Sequence, residues 1–285
     1  MKKLILFVIL VLIFMLFFSL FLSADVYVKV MERTEAFEMS GKRNPEKVEI
    51  KEQWLAKDKF AVFSKDLNII VDYQKEKIYF IVHKPKKYYE FPTSIDMTKL
   101  QELIPPKAAE IISSIKISDV KVSLSGQKKK VANWDCQGSE FEMVIMIPAL
   151  NIMPKFKMKL WTTKDVPFDY KKYSGGMGEF YGKFVMELLN VDENSRKELE
   201  KMDKIEGFQI AAEVTVNMFG SEINVESQVL EVVEKPAPPG IYSAPKGYTK
   251  GDLSVDMGLQ KKPPEKKSPA PETTPNKKTT DLTQK

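Results

Sequence analysis

The chain has 285 residues, 43% hydrophobic and 11% aromatic, enough for one large domain or two small ones with a sizeable core. Its net charge of +5 does not mark a nucleic-acid binder: Lys2 and Lys3 supply two positives and residues 259–285 a further four, leaving −1 for residues 25–258 and no basic stripe. One cysteine, Cys136, and one histidine, His83, exclude intramolecular disulfides and cysteine-based zinc motifs, and make a catalytic triad or a histidine-rich metal site hard to assemble.

Met1-Lys2-Lys3 precedes Leu4–Leu22, a stretch whose only polar residue is Ser19. A secretory signal needs an apolar core of roughly 7–15 residues and a spanning helix about 20, so residues 1–24 read either as a cleaved signal peptide or as a membrane anchor. Both place the two lysines in the cytoplasm and export the body, to the periplasm or another extracytoplasmic space. Leu22-Ser23-Ala24-Asp25 looks like a bacterial lipobox with Asp in place of its Cys, so no acylation is expected there.

Residues 25–258 carry the domain. Val26, Val28 and Val30 alternate with Tyr27, Lys29 and Met31, which predicts a first strand. From Glu46 to Pro92, short apolar runs are cut by charged turns at Lys57-Asp58-Lys59, Lys65-Asp66 and Gln74-Lys75-Glu76. These links are too short for anything but hairpins, so the stretch predicts an antiparallel meander. Asp96 or Thr98 can cap a short helix that ends at Pro105-Pro106, and a second turn of helix places Ala108, Ile111, Ile112 and Ile115 on one side. Strands resume around Val120–Leu124, Phe141–Ile147 and Met158–Trp161. Ser174–Gly178 leads into a helix with Phe180, Tyr181, Phe184, Val185, Leu188 and Leu189 on one face. Ser195-Arg-Lys-Glu198 fits a capping box. Phe208–Met218 and Ile223–Val229 predict a last hairpin with a type II′ turn at Gly220-Ser221, and Pro236–Pro239 ends the sheet. Residues 259–285, rich in Lys, Pro and Thr, have no apolar pattern and are expected to be disordered. Their charge offers a contact to anionic membrane surfaces.

Residues Tyr27 to Lys250 resemble the lipoprotein-carrier-like (LolA/LolB-like) superfamily, most closely an exported bacterial family of unknown function within it. The resemblance rests on Glu52-Gln-Trp54 with Lys57-Asp-Lys-Phe60, on Ile69-Ile-Val-Asp72 with Lys75-Glu-Lys-Ile-Tyr79, on Leu160-Trp161 and on Pro245-Lys-Gly-Tyr248. It implies an α+β fold: a strongly curved antiparallel sheet, an open half-barrel, with helices covering its concave face. Carriers of this type hold acyl chains between sheet and helices.

The ligand-binding residues expected on that basis are Trp54, Phe60, Val62, Ile69, Val71, Ile78, Phe80 and Val82, with Met143, Ile145 and Phe184; ordinary core packing is the competing reading of the same pattern. Met143, Met146, Met153 and Met158 are soft donors suited to Cu(I), but two fall on alternating strand faces, which favours core or cavity lining. The Ser174–Gly178 loop lacks the Lys-Ser/Thr of a phosphate loop and reads as a hinge. His83 reads as a solvated edge residue and Cys136 as a buried small hydrophobe. No cofactor, metal site or catalytic constellation is expected. The chain therefore reads as an exported, non-enzymatic carrier of a lipid or other apolar ligand, or alternatively as an envelope interaction or sensor module with a protein partner.

Overall fold

The computed structural model describes residues 25–39, 41–93, 106–171, 173, 190–252 and 256. In chain order the elements are β1 (Asp25–Thr34), β2 (Phe37–Met39), β3 (Lys42–Asn44), β4 (Lys47–Leu55), β5 (Lys59–Phe63), β6 (Leu67–Asp72), β7 (Lys77–Val82), β8 (Lys87–Pro92), α1 (Pro106–Ser114), β9 (Lys116–Ser123), β10 (Lys128–Val131), β11 (Trp134–Met146), β12 (Lys155–Thr163), β13 (Asn190–Val191), α2 (Glu193–Leu199), β14 (Phe208–Met218), β15 (Ser221–Lys235) and β16 (Thr249–Lys250). All but β2 and β3, which form their own small hairpin, join one curved sheet that does not close into a barrel.

The sheet is two meanders sewn together. Strands β4 to β8 run as the charged turns require, each antiparallel to the one before. Strands β9, β11, β12, β14 and β15 form the second series, with β10 folded back on β11. The seam is β1, which pairs with β15 on one side and β4 on the other. Only the two outermost pairs, β13 with β9 and β16 with β8, are parallel, so the sheet is mixed rather than wholly antiparallel.

Both rims are covered, which matters because an open edge presents unpaired backbone groups. At one rim α2 lies along β9: Ser195 Oγ accepts from Val120 N–H at 3.2 Å and Glu198 Oε2 from Val122 N–H at 3.1 Å. Asp192 caps α2, accepting from Ser195 N–H at 3.0 Å. At the other rim the chain after β15 returns to pair with β8, Thr249 N–H donating to Lys86 O and Gly251 N–H to Tyr88 O.

The last hairpin has a different turn from the expected one. Its loop is Phe219-Gly220, not Gly220-Ser221, and both residues have positive φ, 53° and 76°. That is the type I′ pattern, which matches the right-handed twist of the flanking strands. Helical cover over the apolar face was expected from Thr98–Gln101 and Phe180–Leu189, and both lie outside the described residues. Of the described helices, α1 lies beside the Pro148–Leu150 turn and α2 along β9.

Candidate ligand-binding face

Strand pairing sorts the apolar residues into rows. Leu55, Phe60, Val71, Ile78 and Phe91 face one another in succession across β4 to β8, continuing from Val26 on β1. One step along the strands lies a second row: Val28, Gln53, Val62, Ile69, Phe80 and Tyr89. On β5 to β7 the two rows differ in wetness. Phe60, Val71 and Ile78 are at most 3% exposed, whereas Val62, Ile69 and Phe80 are only partly buried against the same cluster; at the ends the order reverses, with Val28 of the second row fully buried and Phe91 of the first partly buried. Val82, one step farther, is also half-buried. The face therefore grades from a dry row into an apolar one that is open to contact.

The dry end is closed by a segment with no strand or helix pattern to announce it. Phe168 and Tyr173 are buried in the same cluster as the first row, with Val166 and Tyr170 packed against it. Phe168 meets Phe208 edge-on at 5.2 Å and Tyr173 at 5.7 Å. Phe80 and Phe91 make a third perpendicular pair at 5.4 Å, bridging the two rows on neighbouring strands.

Trp54 does not join these residues. The hairpin register sets Leu55 opposite Phe60 and Trp54 opposite Ala61, so the indole points to the other face. There it packs with Tyr27, Ile70, Tyr79 and Ile81 under the chain that follows β15, residues 236–250, called the closing segment below, which contributes Ala237, Ile241, Tyr242 and Tyr248. The Tyr27 and Trp54 rings stand 5.1 Å apart, with the Lys235 ammonium 3.5 Å from the Tyr27 centroid. Met143 and Ile145 sit in a separate cluster on β9 and β11, covered by Leu199, Met202 and Ile205. Phe184 lies outside the described residues. Of the expected set, then, Phe60, Val62, Ile69, Val71, Ile78 and Phe80 share one cluster, and Trp54, Met143 and Ile145 belong to others.

The closing segment was missed by the reading of Pro236–Pro239 as the end of the sheet. It is pinned at two points. Tyr242 O–H donates to Asp25 Oδ2 at 2.9 Å, and burial together with that carboxylate pushes the Tyr242 phenol well above its ordinary value. Tyr248 O–H meets His83 Nδ1 at 2.7 Å, while His83 Nε2 meets Asn68 Oδ1 at 2.8 Å. An amide oxygen can only accept, so Nε2 carries the proton and Nδ1 accepts from the phenol. His83 is thus a half-buried tie between β6 and the closing segment, not the solvated residue expected. The available signal was two tyrosines beyond the last predicted strand, more aromatic surface than a loose linker uses.

Polar chemistry elsewhere is local. An open groove of about 580 Å³ is lined by Lys128–Lys130, Asp135–Gln137, Thr162–Asp165 and Glu206. Two of its four lysines are in ion pairs, Lys129 with Glu213 at 3.2 Å and Lys164 with Glu206. Cys136 is a buried free thiol, and burial raises its pKa, the opposite of what a thiolate nucleophile needs. Of the methionines weighed as soft donors, Met143 and Met158 pack partly buried against the β9–β11 cluster, and Met153 is exposed on a loop. Among the described residues no group of three or more His, Cys, Asp or Glu is placed to hold a metal ion, and no helix is long and apolar enough to cross a membrane.

No family model matches the sequence, and no curated protein matches it. The resemblance to lipoprotein carriers therefore rests on the motifs quoted above. Among solved structures, PNGF-II aligns over 83% of this chain at a TM-score of 0.34 and 9% identity. This chain spans about a third of the length of that protein, 32%. A DUF1329 family protein from Desulfovibrio piger aligns over 78% of this chain and 90% of its own, at a TM-score of 0.27 and 9% identity.

Proposed function

We propose that the chain is an exported carrier that holds an acyl chain or similar apolar ligand along the Val62–Ile69–Phe80 row. The observation that carries this reading is the gradation on β5 to β7 from the dry Phe60–Val71–Ile78 row to the partly buried Val62–Ile69–Phe80 row beside it. A row of branched and aromatic side chains left half-wet across three neighbouring strands gives an extended hydrocarbon a surface to lie on, with a fully packed floor beside it. A dozen methylenes buried at about 0.8 kcal/mol each supply about 10 kcal/mol, and an association cost of about 4 kcal/mol leaves an affinity of about 0.1 mM. Export is supported by Lys2-Lys3 followed by the apolar stretch Leu4–Leu22. The role proposed is binding rather than catalysis: the polar residues in register with the row are Gln53 and Tyr89, which make no acid–base pair. Native mass spectrometry of gently purified protein tests this: the reading expects a co-purifying lipid that is lost on delipidation and regained on adding fatty acid. Protein that remains bare in both conditions would overturn it.

A further inference from the structure

Strand β4 is paired on both sides over only part of its length. β1 pairs with all of it, Lys47 to Leu55, but β5 stops at the Glu52–Phe63 pair. The hairpin bond from Ala56 N–H to Lys59 O shows which way the backbone of β4 points. Backbone groups alternate sides along a strand, so even-numbered residues of β4 face β5 and odd-numbered ones face β1. On the stretch that β5 leaves bare, Val48 and Ile50 therefore turn N–H and C=O to the open side. Among the described residues neither has a backbone partner there. The same two residues carry apolar side chains that are 54% and 43% exposed. An apolar edge of this kind is a template for pairing with another strand. Cover begins at the β5–β6 turn, where Lys65 N–H donates to Glu49 Oε1 at 3.1 Å.

The charges on this edge select its partner. Two copies of β4 that meet antiparallel must be centred on a residue, so that outward-facing groups oppose outward-facing groups. Centred on Glu49, the pairing opposes Glu49 to its own copy and Lys47 to Lys51, like charges throughout. Centred on Lys47, it opposes that lysine to its own copy. Centred on Ile50, it sets Val48 against Glu52, whose edge β5 already holds. Centred on Val48, it sets each Lys47 opposite the partner's Glu49, and the two Val48 residues exchange backbone hydrogen bonds. Opposite charges across a strand pair favour it and like charges oppose it. Lys47 and Glu49 already meet within the chain at 2.8 Å, so this pairing closes a ring of four alternating charges. On the other face, Val48 and Ile50 of both copies make one apolar patch.

We propose that a second copy of this chain binds here, its β4 antiparallel to the first with Val48 on the partner's Val48. The contact is short, below the size of a permanent interface, so the dimer is weak and forms with rising concentration. It uses no residue of the ligand row and does not rest on the carrier reading.

Single cysteines read the register directly. In the full chain with Cys136→Ala, Val48→Cys or Ile50→Cys is oxidised with copper phenanthroline over a range of protein concentrations. Pairing about Val48 sets the two Cα atoms at 48 about 5.5 Å apart, within disulfide reach, and those at 50 about 14 Å apart. A disulfide dimer should form at 48, its yield rising with concentration, and at least about ten-fold less at 50. Because the readout is specific to position, association through residues 4–22 cannot imitate it. Adding Lys47→Glu or Glu49→Lys to Val48→Cys should each lower the yield about ten-fold. Mixing those two variants should restore it, since the mixed dimer again opposes unlike charges. A dimer at 50 rather than 48, equal yields at both, no dimer at 48, or a mixture no better than its parents would each overturn the proposal.

Discussion

Tyr242 donates to Asp25 Oδ2 across 2.9 Å, tying the closing segment to the first residue of the first strand, 217 positions away. This bond locks the seam between the two meanders, because β1 is the strand that joins them. Tyr242→Phe removes the donor and leaves a buried carboxylate short of a partner, at a cost of about 1–3 kcal/mol. Urea unfolding at neutral pH measures it.

The same tyrosine makes stability depend on alkaline pH. Its folded pKa is raised, chiefly by burial and then by Asp25, above the ordinary value of 10.0. As pH passes 10 the unfolded chain loses this proton while the folded chain keeps it, so the unfolded state is favoured. The wild type should therefore lose stability as pH rises above 10 more steeply than Tyr242→Phe. Parallel pH–stability curves for the two proteins would contradict the assignment.

Trp54 and Phe80 separate the two faces. Trp54→Ala should cost about 3–5 kcal/mol, since the ring is buried among Tyr27, Ala61 and Ile70, while the folded fraction keeps its ligand affinity. Phe80→Ser should do the reverse, with a modest change in Tm and a large loss of binding. If both variants lose affinity equally, the division of faces by strand register does not govern binding.

Ser195→Ala tests the covered rim. Ser195 is 2% exposed and its hydroxyl is the acceptor for Val120 N–H, so its loss leaves a buried donor unpaired at about 1–3 kcal/mol. It should also raise aggregation at high concentration, as β9 becomes available for edge pairing. Differential scanning calorimetry with light scattering reads both effects.

Cys136 is 3% exposed, and burial raises its pKa. Alkylation of the native protein at neutral pH should be at least about ten-fold slower than in denaturant. Equal rates would show that the thiol is reached without unfolding.

The β4–β8 meander was legible because its turns are two or three charged residues long and its strands alternate cleanly. The type I′ turn was not, since Phe219 is a residue that such a turn ordinarily avoids. Trp54 was assigned to the wrong face for a reason of counting. Val48 and Ile50 share a face of β4 with Trp54 but are exposed, and the hairpin pairs Leu55 with Phe60, so even positions on β4 meet odd positions on β5. A one-residue difference in register moves every side chain to the other face, and the sequence of the turn does not fix that choice. The pairing of β15 with β1 was out of reach for another reason. It joins residues about 200 positions apart in sequence, and local pattern carries no information about partners so distant. The closing segment escaped notice because prolines at 236, 238 and 239 end a strand but do not prevent the chain beyond from packing.

The most direct test of the ligand row is a fluorescence titration with a conjugated polyene fatty acid, carried out on the full chain and on Phe80→Ser. Saturable binding by the wild type at about 0.1 mM, weakened about ten-fold or more in Phe80→Ser at matched folded fraction, is the predicted result. Saturable binding that Phe80→Ser leaves intact, or no saturable binding by delipidated wild type, would contradict it.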